Sequence, residues 1–295
     1  MKMIRYIVAV SLLASSIYAQ NAEQNFVNDA AKTVLMGSQK SFESGAHDLK
    51  ANENMSSLYV NFRYNFESSS DINFYLGAAA GLAKLENDNP FLGELGDRAV
   101  MEALNIELSG GVRYKINDQS YISAGGGVIY SQLNPKFEIT SALALSNQSL
   151  IDRLYSSGEK LDAYTYQANI KYDYESNIKG YEPYATAFLG YYYSDIDGIE
   201  ETSSSTLAHI KAGIYSPELV KIYNLPFKVE LYAQESFVMG DLEENMDTSN
   251  FTTIGMAFHL YTNTIAPLVD NVYFDVNYVT GDNIEGLYVG VSASF

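Results

Sequence analysis

The fold is decided by a stretch in the middle of the chain, residues 164–174, which reads YTYQANIKYDY. Apolar and aromatic side chains occupy every second position of this stretch, and polar side chains occupy most of the positions between them. Successive side chains of a β-strand point to opposite faces, so a strand here would have one apolar face and one polar face. Segments of about ten residues with this period are typical of strands that cross a membrane.

The same period of two recurs along most of the chain. We predict strands at 33–42, 58–66, 72–82, 104–114, 122–130, 164–174, 183–194, 205–215, 227–237, 251–261, 272–280 and 286–295. The first of these is the weakest because Val34, Leu35 and Met36 are contiguous and do not alternate. Glu235 falls on an apolar face, which indicates either a position at the lipid headgroups or a β-bulge.

The connectors between these strands alternate in length, and the longer ones are mostly rich in acidic residues. Outer-membrane barrels have short turns on one side and long loops on the other. The sequence therefore predicts an all-β fold, an up-and-down antiparallel transmembrane β-barrel of about twelve strands. A soluble β-sandwich is the alternative, because its strands alternate in the same way, but its turns would lack this rhythm.

The first residues predict export. Lys2 and Arg5 precede an apolar run at 6–13, and Ala19 provides a small residue for cleavage. We predict a signal peptide over 1–19 that is cleaved after Ala19, an N-terminal segment over 20–32 in the periplasm or the lumen, and a barrel over 33–295. Phe26 and Val27 give the segment 22–31 the pattern of a short amphipathic helix. Such a helix would either plug the lumen or belong to a free periplasmic tail.

Composition excludes several other classes of protein. No apolar run beyond the signal peptide approaches the roughly 20 residues of a transmembrane helix. The chain has no cysteine, so it forms neither disulfides nor thiolate metal sites. A formal net charge of −18 argues against nucleic acid as a partner.

The last nine residues, LYVGVSASF at 287–295, form another alternating segment that ends in an aromatic residue. This segment resembles the closing strand of bacterial outer-membrane proteins, and the resemblance implies that Phe295 is part of the signal read by the barrel assembly machinery. The last predicted hairpin, the length and the short leading segment resemble a translocator domain of the autotransporter type, here as a solitary barrel. The resemblance implies a bacterial outer-membrane location, with membrane lipid, lipopolysaccharide and the assembly machinery as partners.

Catalytic and metal-binding patterns are not evident. His47, His209 and His259 are isolated in the sequence, and no His-Ser-Asn run of an outer-membrane phospholipase is present. The stretch 195–201 has two aspartates but lacks the spacing of a calcium loop, so we interpret it as an acidic hairpin tip. We predict no enzymatic activity, no metal site and no cofactor.

Two groups of charged residues are the candidate functional residues. Those predicted to line the lumen are Arg63, Glu107, Arg113, Lys171, Asp173, Lys211, Lys228, Glu230 and Asp275. Those predicted in acidic outer loops are Asp195, Asp197, Glu200, Glu201, Asp241, Glu243, Glu244 and Asp247. A lumen of mixed charge suits either a water-filled pore or a closed, salt-bridged interior, and our preferred hypothesis is a small passive channel for ions or small polar solutes. The alternatives are a structural or adhesive surface barrel, and a solitary autotransporter-type barrel with a plugged lumen.

Overall fold

The computed structural model describes residues 24, 26–36, 45–48, 53–66, 71–88, 98–138, 160–262, 269 and 271–294. These residues form a closed antiparallel barrel around a helix, α1, which spans 26–36. The strands are β1 (Gly45–Asp48), β2 (Glu53–Phe66), β3 (Ile72–Asp88), β4 (Arg98–Asn117), β5 (Ser120–Glu138), β6 (Leu161–Glu175), β7 (Glu182–Ile196), β8 (Thr202–Tyr215), β9 (Val220–Ile222), β10 (Leu225–Gly240), β11 (Asn250–Tyr261), β12 (Asn271–Gly281) and β13 (Glu285–Ser294). A second helix, α2 (Asp241–Met246), lies between β10 and β11.

Closure of the barrel depends on its first and last strands. The four residues of β1 pair with both β2 and β13, and β10 pairs with β8 and β11. The short β9 pairs only with the beginning of β10 and is not part of the ring. Twelve strands therefore form the barrel, as predicted. In a closed ring each strand has a hydrogen-bonded neighbour on both sides. Its backbone amides and carbonyls therefore find the partners that lipid does not offer.

The prediction of a first strand at 33–42 is wrong. Residues 33–36 are the end of α1, and the first strand is β1, while 37–42 lie outside the described residues. The contiguous run of Val34, Leu35 and Met36 suits a helix that is buried on all sides, whereas a strand with one wet face requires alternation. Neither helix that the structure describes combines the length and the apolar character needed to cross a membrane.

The two ends of the barrel differ, and we name them by their connectors. The turn end carries the connectors at 67–71, 118–119, 176–181, 216–224 and 262–270, and β13 runs towards it. The loop end carries the connectors at 49–52, 89–97, 139–160, 197–201, 241–249 and 282–284. Strands β3, β4 and β5 have 17, 20 and 19 residues, beyond the roughly 9–11 that a tilted strand needs to cross a bilayer.

The outer face of the barrel is apolar although it is exposed. Leu76, Leu108 and Ile254 are 57–61% exposed, as expected for side chains that meet lipid instead of water. Glu235 lies on this face without a β-bulge, since its register with Ile210 and Thr252 is continuous. Its carboxylate accepts hydrogen bonds from Thr252 Oγ1 at 2.5 Å and Asn250 Nδ2 at 3.4 Å. These bonds lie near the loop end of β11 and reduce the cost of a charge on this face.

Glycines allow β4 and β5 to approach each other closely beneath a tyrosine. A Cβ atom on Gly111 would overlap the Ala124 carbonyl oxygen and lie 2.6 Å from the hydroxyl of Tyr75. A Cβ atom on Gly125 would also overlap that hydroxyl. Small residues at these two positions make room in the crowded lumen.

We predict that Gly111→Ala lowers the free energy of unfolding by about 1–3 kcal/mol, because the new methyl group meets rigid backbone. The matched control is Gly110→Ala, whose Cβ would lie 3.1 Å from a flexible Leu76 methyl group and 3.3 Å from the Tyr75 carbonyl oxygen, without the overlap found at Gly111. That control is expected to change stability by less than about 1 kcal/mol. Urea unfolding of the refolded barrel measures both, and equal effects of the two substitutions would contradict the close approach of β4 and β5.

Candidate functional site

The loop-end half of the lumen is filled by α1. All residues of this helix are buried except Asp29, and Phe26, Val27 and Met36 are at most 1% exposed. The helix forms one apolar cluster with inward side chains from the barrel wall and α2. The wall and α2 side chains of this cluster include Met55, Leu85, Met101, Ile129, Leu133, Tyr192, Ile196, Leu207, Val238, Leu242, Met246 and Phe251. Burial of this much apolar surface stabilises the helix inside the barrel.

A buried ion pair fixes α1 to the wall. The Lys32 ammonium group is fully buried and lies 2.8 Å from Glu53 Oε2 and 3.2 Å from Asp29 Oδ1. The second oxygen of Glu53 accepts a hydrogen bond from Asn87 at 2.9 Å. Burial tends to lower the pKa of Lys32, but the two carboxylates outweigh burial and raise that pKa above its ordinary value. Lys32 therefore stays charged and paired at neutral pH.

The direction of α1 follows from its polar contacts at the two ends. Gln24, which is itself helical, donates from Nε2 to the carbonyl oxygen of Thr202, the first residue of β8 at the loop end. The carbonyl oxygen of Val34 accepts from Asn105 Nδ2, seven residues inside β4. The helix thus begins at the loop end and runs inward towards the middle of the lumen.

The second helix, α2, covers α1 at the loop end. Its Leu242 and Met246 belong to the same apolar cluster, and Asn245 Nδ2 donates to Asp29 Oδ1 at 3.0 Å. Asp241 accepts from the backbone amide of Ser204 at 2.6 Å and joins α2 to β8. The sequence predicted an irregular acidic connector here, and the buried Leu242 and Met246, four residues apart, are the helical signal that it contained.

The acidic residues predicted in outer loops do lie at the loop end, although in different settings. Asp197, Glu200 and Glu201 lie in the connector after β7, but Asp195 is still within β7 and pairs with Tyr164 and Thr202. Asp241, Glu243 and Glu244 form the first turn of α2, where carboxylates interact favourably with the helix dipole. Asp247 follows α2 in a left-handed conformation and accepts from Asn283.

The predicted lumen charges lie on inner faces, mostly in the turn-end half of the barrel. One network is centred on Glu230, which accepts from the Tyr184 hydroxyl, lies 2.9 Å from His259 Nε2 and lies 3.4 Å from the Lys211 ammonium group. Lys211 also lies 3.5 Å from the centre of the Tyr232 ring. These contacts neutralise a carboxylate that is 5% exposed.

A second network joins the charges of β4 and β6. Asp173 lies 2.8 Å from Lys171 and 3.9 Å from Arg113, and it accepts from Thr186 at 2.9 Å. Other predicted lumen charges have separate partners: Lys228 pairs with Glu182 at 2.8 Å, Glu107 accepts from Gln167 at 2.7 Å, and Arg63 stacks on Tyr75 at 3.8 Å. Asp275 accepts from Asn277 at 3.1 Å.

The structure adds residues that the sequence did not single out. His259 pairs with Glu230, and both His259 and His209 line a cavity in the turn-end half. The period of two places His259 inward, but its pairing with Glu230 depends on the register of β10 and β11. The side chain of His47 and the whole of Phe295 lie outside the described residues. No three His, Asp or Glu side chains converge on a metal site within the part of the chain that the structure describes.

A twelve-stranded barrel with an N-terminal helix in its lumen defines the architecture of autotransporter translocators, and solved structures agree. The chain is similar to the translocator domain of the autotransporter NalP from Neisseria meningitidis, with TM-score 0.59, 9% identity and 84% of each chain covered. It is similar to the beta domain of the Bordetella autotransporter BrkA, with TM-score 0.56, 9% identity and coverage of 84% of this chain and 93% of that one.

The transport unit of the autotransporter AIDA-I from Escherichia coli gives TM-score 0.52 at 14% identity, covering 85% of this chain and 88% of that one. Comparison with curated protein sequences gave no match. The family assignment comes from the sequence itself: the model of the solitary outer membrane autotransporter beta-barrel domain matches residues 29–290. The chain belongs to this family, as the resemblance of its last hairpin and its length implied.

We predict that Lys32→Met lowers the free energy of unfolding by about 3–5 kcal/mol, because it leaves Asp29 and Glu53 without their cation. Adding Glu53→Gln should restore part of the loss. The matched control, Lys160→Met, removes an exposed ammonium group at the loop end and should change stability by no more than about 0.5 kcal/mol.

A cysteine introduced by Val34→Cys reports on the position of α1 directly, because the chain has no cysteine of its own that could react. It should react slowly with a maleimide in the otherwise natural barrel and faster after Lys32→Met. Equal labelling rates in the two proteins would argue against a role of the ion pair in holding α1.

Proposed function

We propose that this protein is a closed translocator-type barrel whose own N-terminal segment occupies the lumen and emerges at the loop end. The observation that supports this proposal is the burial of α1, with Lys32 fully buried and paired to the wall. A helix that packs on all sides leaves no continuous water path through that half of the lumen. The match to the autotransporter family favours the same function over an open channel.

The loop end is the outer side of the membrane in this proposal. Outer-membrane barrels have their short turns in the periplasm and their long loops outside. Gln24 meets Thr202 at the loop end, so the described beginning of the helix lies at that end of the lumen. The acidic groups on α2 and in the connector after β7 lie at the same end and are, in this proposal, the surface that outside partners would meet.

A passive channel for ions or small polar solutes is the second candidate. The mixed charges on the inner faces of the turn-end half favour it, because such a lumen holds water. Conduction would require α1 to leave the loop-end half of the lumen. The position of α1 therefore distinguishes a passive channel from a closed translocator-type barrel in an experiment. No catalytic role is proposed, because His209 stacks on a phenylalanine ring and His259 is hydrogen-bonded to Glu230.

We expect the refolded full chain to be electrically silent in planar bilayers, because α1 blocks the lumen. Deletion of residues 21–36 should produce steady conductance while the barrel remains folded. Single-channel recording measures the current, and the change in gel migration on heating confirms that each barrel is closed. Steady conductance from the full chain would support the channel candidate instead.

We also expect an epitope inserted immediately before Gln24 to be detected on intact cells, because this point of the chain lies at the loop end. The matched control carries the same epitope in the connector 176–181 at the turn end and should be detected only after the outer membrane is permeabilised. Detection of the first epitope only in permeabilised cells would place the N-terminal segment in the periplasm and contradict the proposal.

A further inference from the structure

The turn-end half of the lumen contains a cavity that α1 does not fill. Its volume is about 440 Å³, which lies in the range of small-molecule sites. Side chains from β6, β7, β8, β10, β11 and β12 line it. Four carboxylates face it, those of Asp173, Glu175, Glu230 and Asp275, against two ammonium groups, those of Lys171 and Lys211. The lining is therefore acidic.

Three of the four carboxylates have a cationic partner. Asp173 pairs with Lys171 and Arg113, Glu175 lies 3.5 Å from Arg113, and Glu230 pairs with Lys211. Asp275 differs from them. It is 5% exposed, its hydrogen-bond donor is the neutral amide of Asn277, and it takes part in no ion pair of the described residues. A buried carboxylate without a cation is costly unless a ligand or water compensates it.

Two other polar atoms of the cavity wall lack a hydrogen-bond partner. Nε2 of His259 lies 2.9 Å from the Glu230 carboxylate, and His259 is 4% exposed. Its Nδ1 has no hydrogen-bond partner among the described residues. The amide oxygen of Asn271, which also lines the cavity, has none there either. The wall of the cavity therefore leaves buried polar atoms that a ligand or water can satisfy.

Aromatic rings complete the wall of the cavity. The Tyr273 ring stacks on the His259 ring with 4.9 Å between ring centres, and the Tyr215 ring lies edge-on to the His259 ring with 5.2 Å between centres. Ala257 lies directly between Glu230 and Asp275 in the register of β10, β11 and β12, so only a methyl group separates the two carboxylates. On the other side, Asp275 is opposite Gly290, and its carboxylate occupies the space that a Cβ on Gly290 would need. The small side chain of Ala257 leaves room on the β11 side of Asp275.

We propose that this cavity binds a small organic cation, with its ammonium group held by Asp275 and its alkyl part against Tyr273. An ammonium group has three donors and no acceptor, so it suits a buried carboxylate that has no cation of its own. Aromatic faces add attraction for a cation. A bound metal ion fits less well, because the described residues offer no group of three His, Asp or Glu side chains. The inference is independent of whether α1 closes the barrel.

The test is isothermal titration of the refolded full chain with 1,4-diaminobutane, and with 1,4-butanediol as a neutral probe of the same length. We expect saturable binding of one diamine per barrel and at least tenfold weaker binding of the diol. Asp275→Asn should weaken diamine binding at least tenfold. The matched control is Asp282→Asn, which removes an exposed carboxylate at the loop end and should leave the affinity unchanged.

The unmodified barrel decides the outcome even if Asp275→Asn fails to fold. Equal affinity for the diamine and the diol, or no binding of either, would overturn the proposal. Equal losses from Asp275→Asn and Asp282→Asn would also overturn it, since they would indicate general attraction of cations to an acidic protein. As a second variant, Ala257→Val keeps every charge and reduces the space between the Glu230 and Asp275 carboxylates. It should therefore weaken diamine binding, while the change in gel migration on heating shows that the barrel is still folded.

Discussion

The structure depends on the requirement that every backbone amide and carbonyl within lipid find its partner in the chain itself. An open sheet would leave two edges unpaired, at a cost of several kcal/mol for each unsatisfied group. The barrel meets this requirement through β1, which has only four residues and pairs with both β2 and β13. The longer strands β3, β4 and β5 continue beyond the bilayer at the loop end, where no such requirement exists.

Closure creates an interior that has to be filled, and the two halves of the lumen are filled differently. The loop-end half resembles the core of a soluble protein: α1 and α2 pack against the apolar side chains of the wall, and one buried lysine is paired with two carboxylates. The turn-end half is polar, with ion pairs that connect neighbouring strands and a cavity between them. The apolar half gives α1 its position, and the polar half leaves space that water or a ligand can enter.

The charges of the lumen are mostly paired side by side along the wall. Lys211 meets Glu230, Lys228 meets Glu182, and Lys171 meets Asp173. The first pair joins the adjacent strands β8 and β10, the second reaches from β10 past β8 to β7, and the third lies within β6. Asp275 is the exception among the described carboxylates of the cavity, and this is why the proposed ligand site lies there and not at Glu230, which has three partners of its own.

The alternation along the chain was enough to predict the class of fold, eleven of the twelve strands of the ring and the inner or outer face of nearly every residue in them. These follow from a local rule, since a strand alternates its side chains whatever it is paired with. The register was not accessible in this way: His259 was assigned to no partner until β10 and β11 brought it opposite Lys228 and beside Glu230. The run Val34-Leu35-Met36 predicts a weak strand, although in the structure it belongs to the last turn of α1. Whether a contiguous apolar run becomes helix or strand depends on what surrounds it, and only the closed barrel provides an apolar interior that buries all sides of α1.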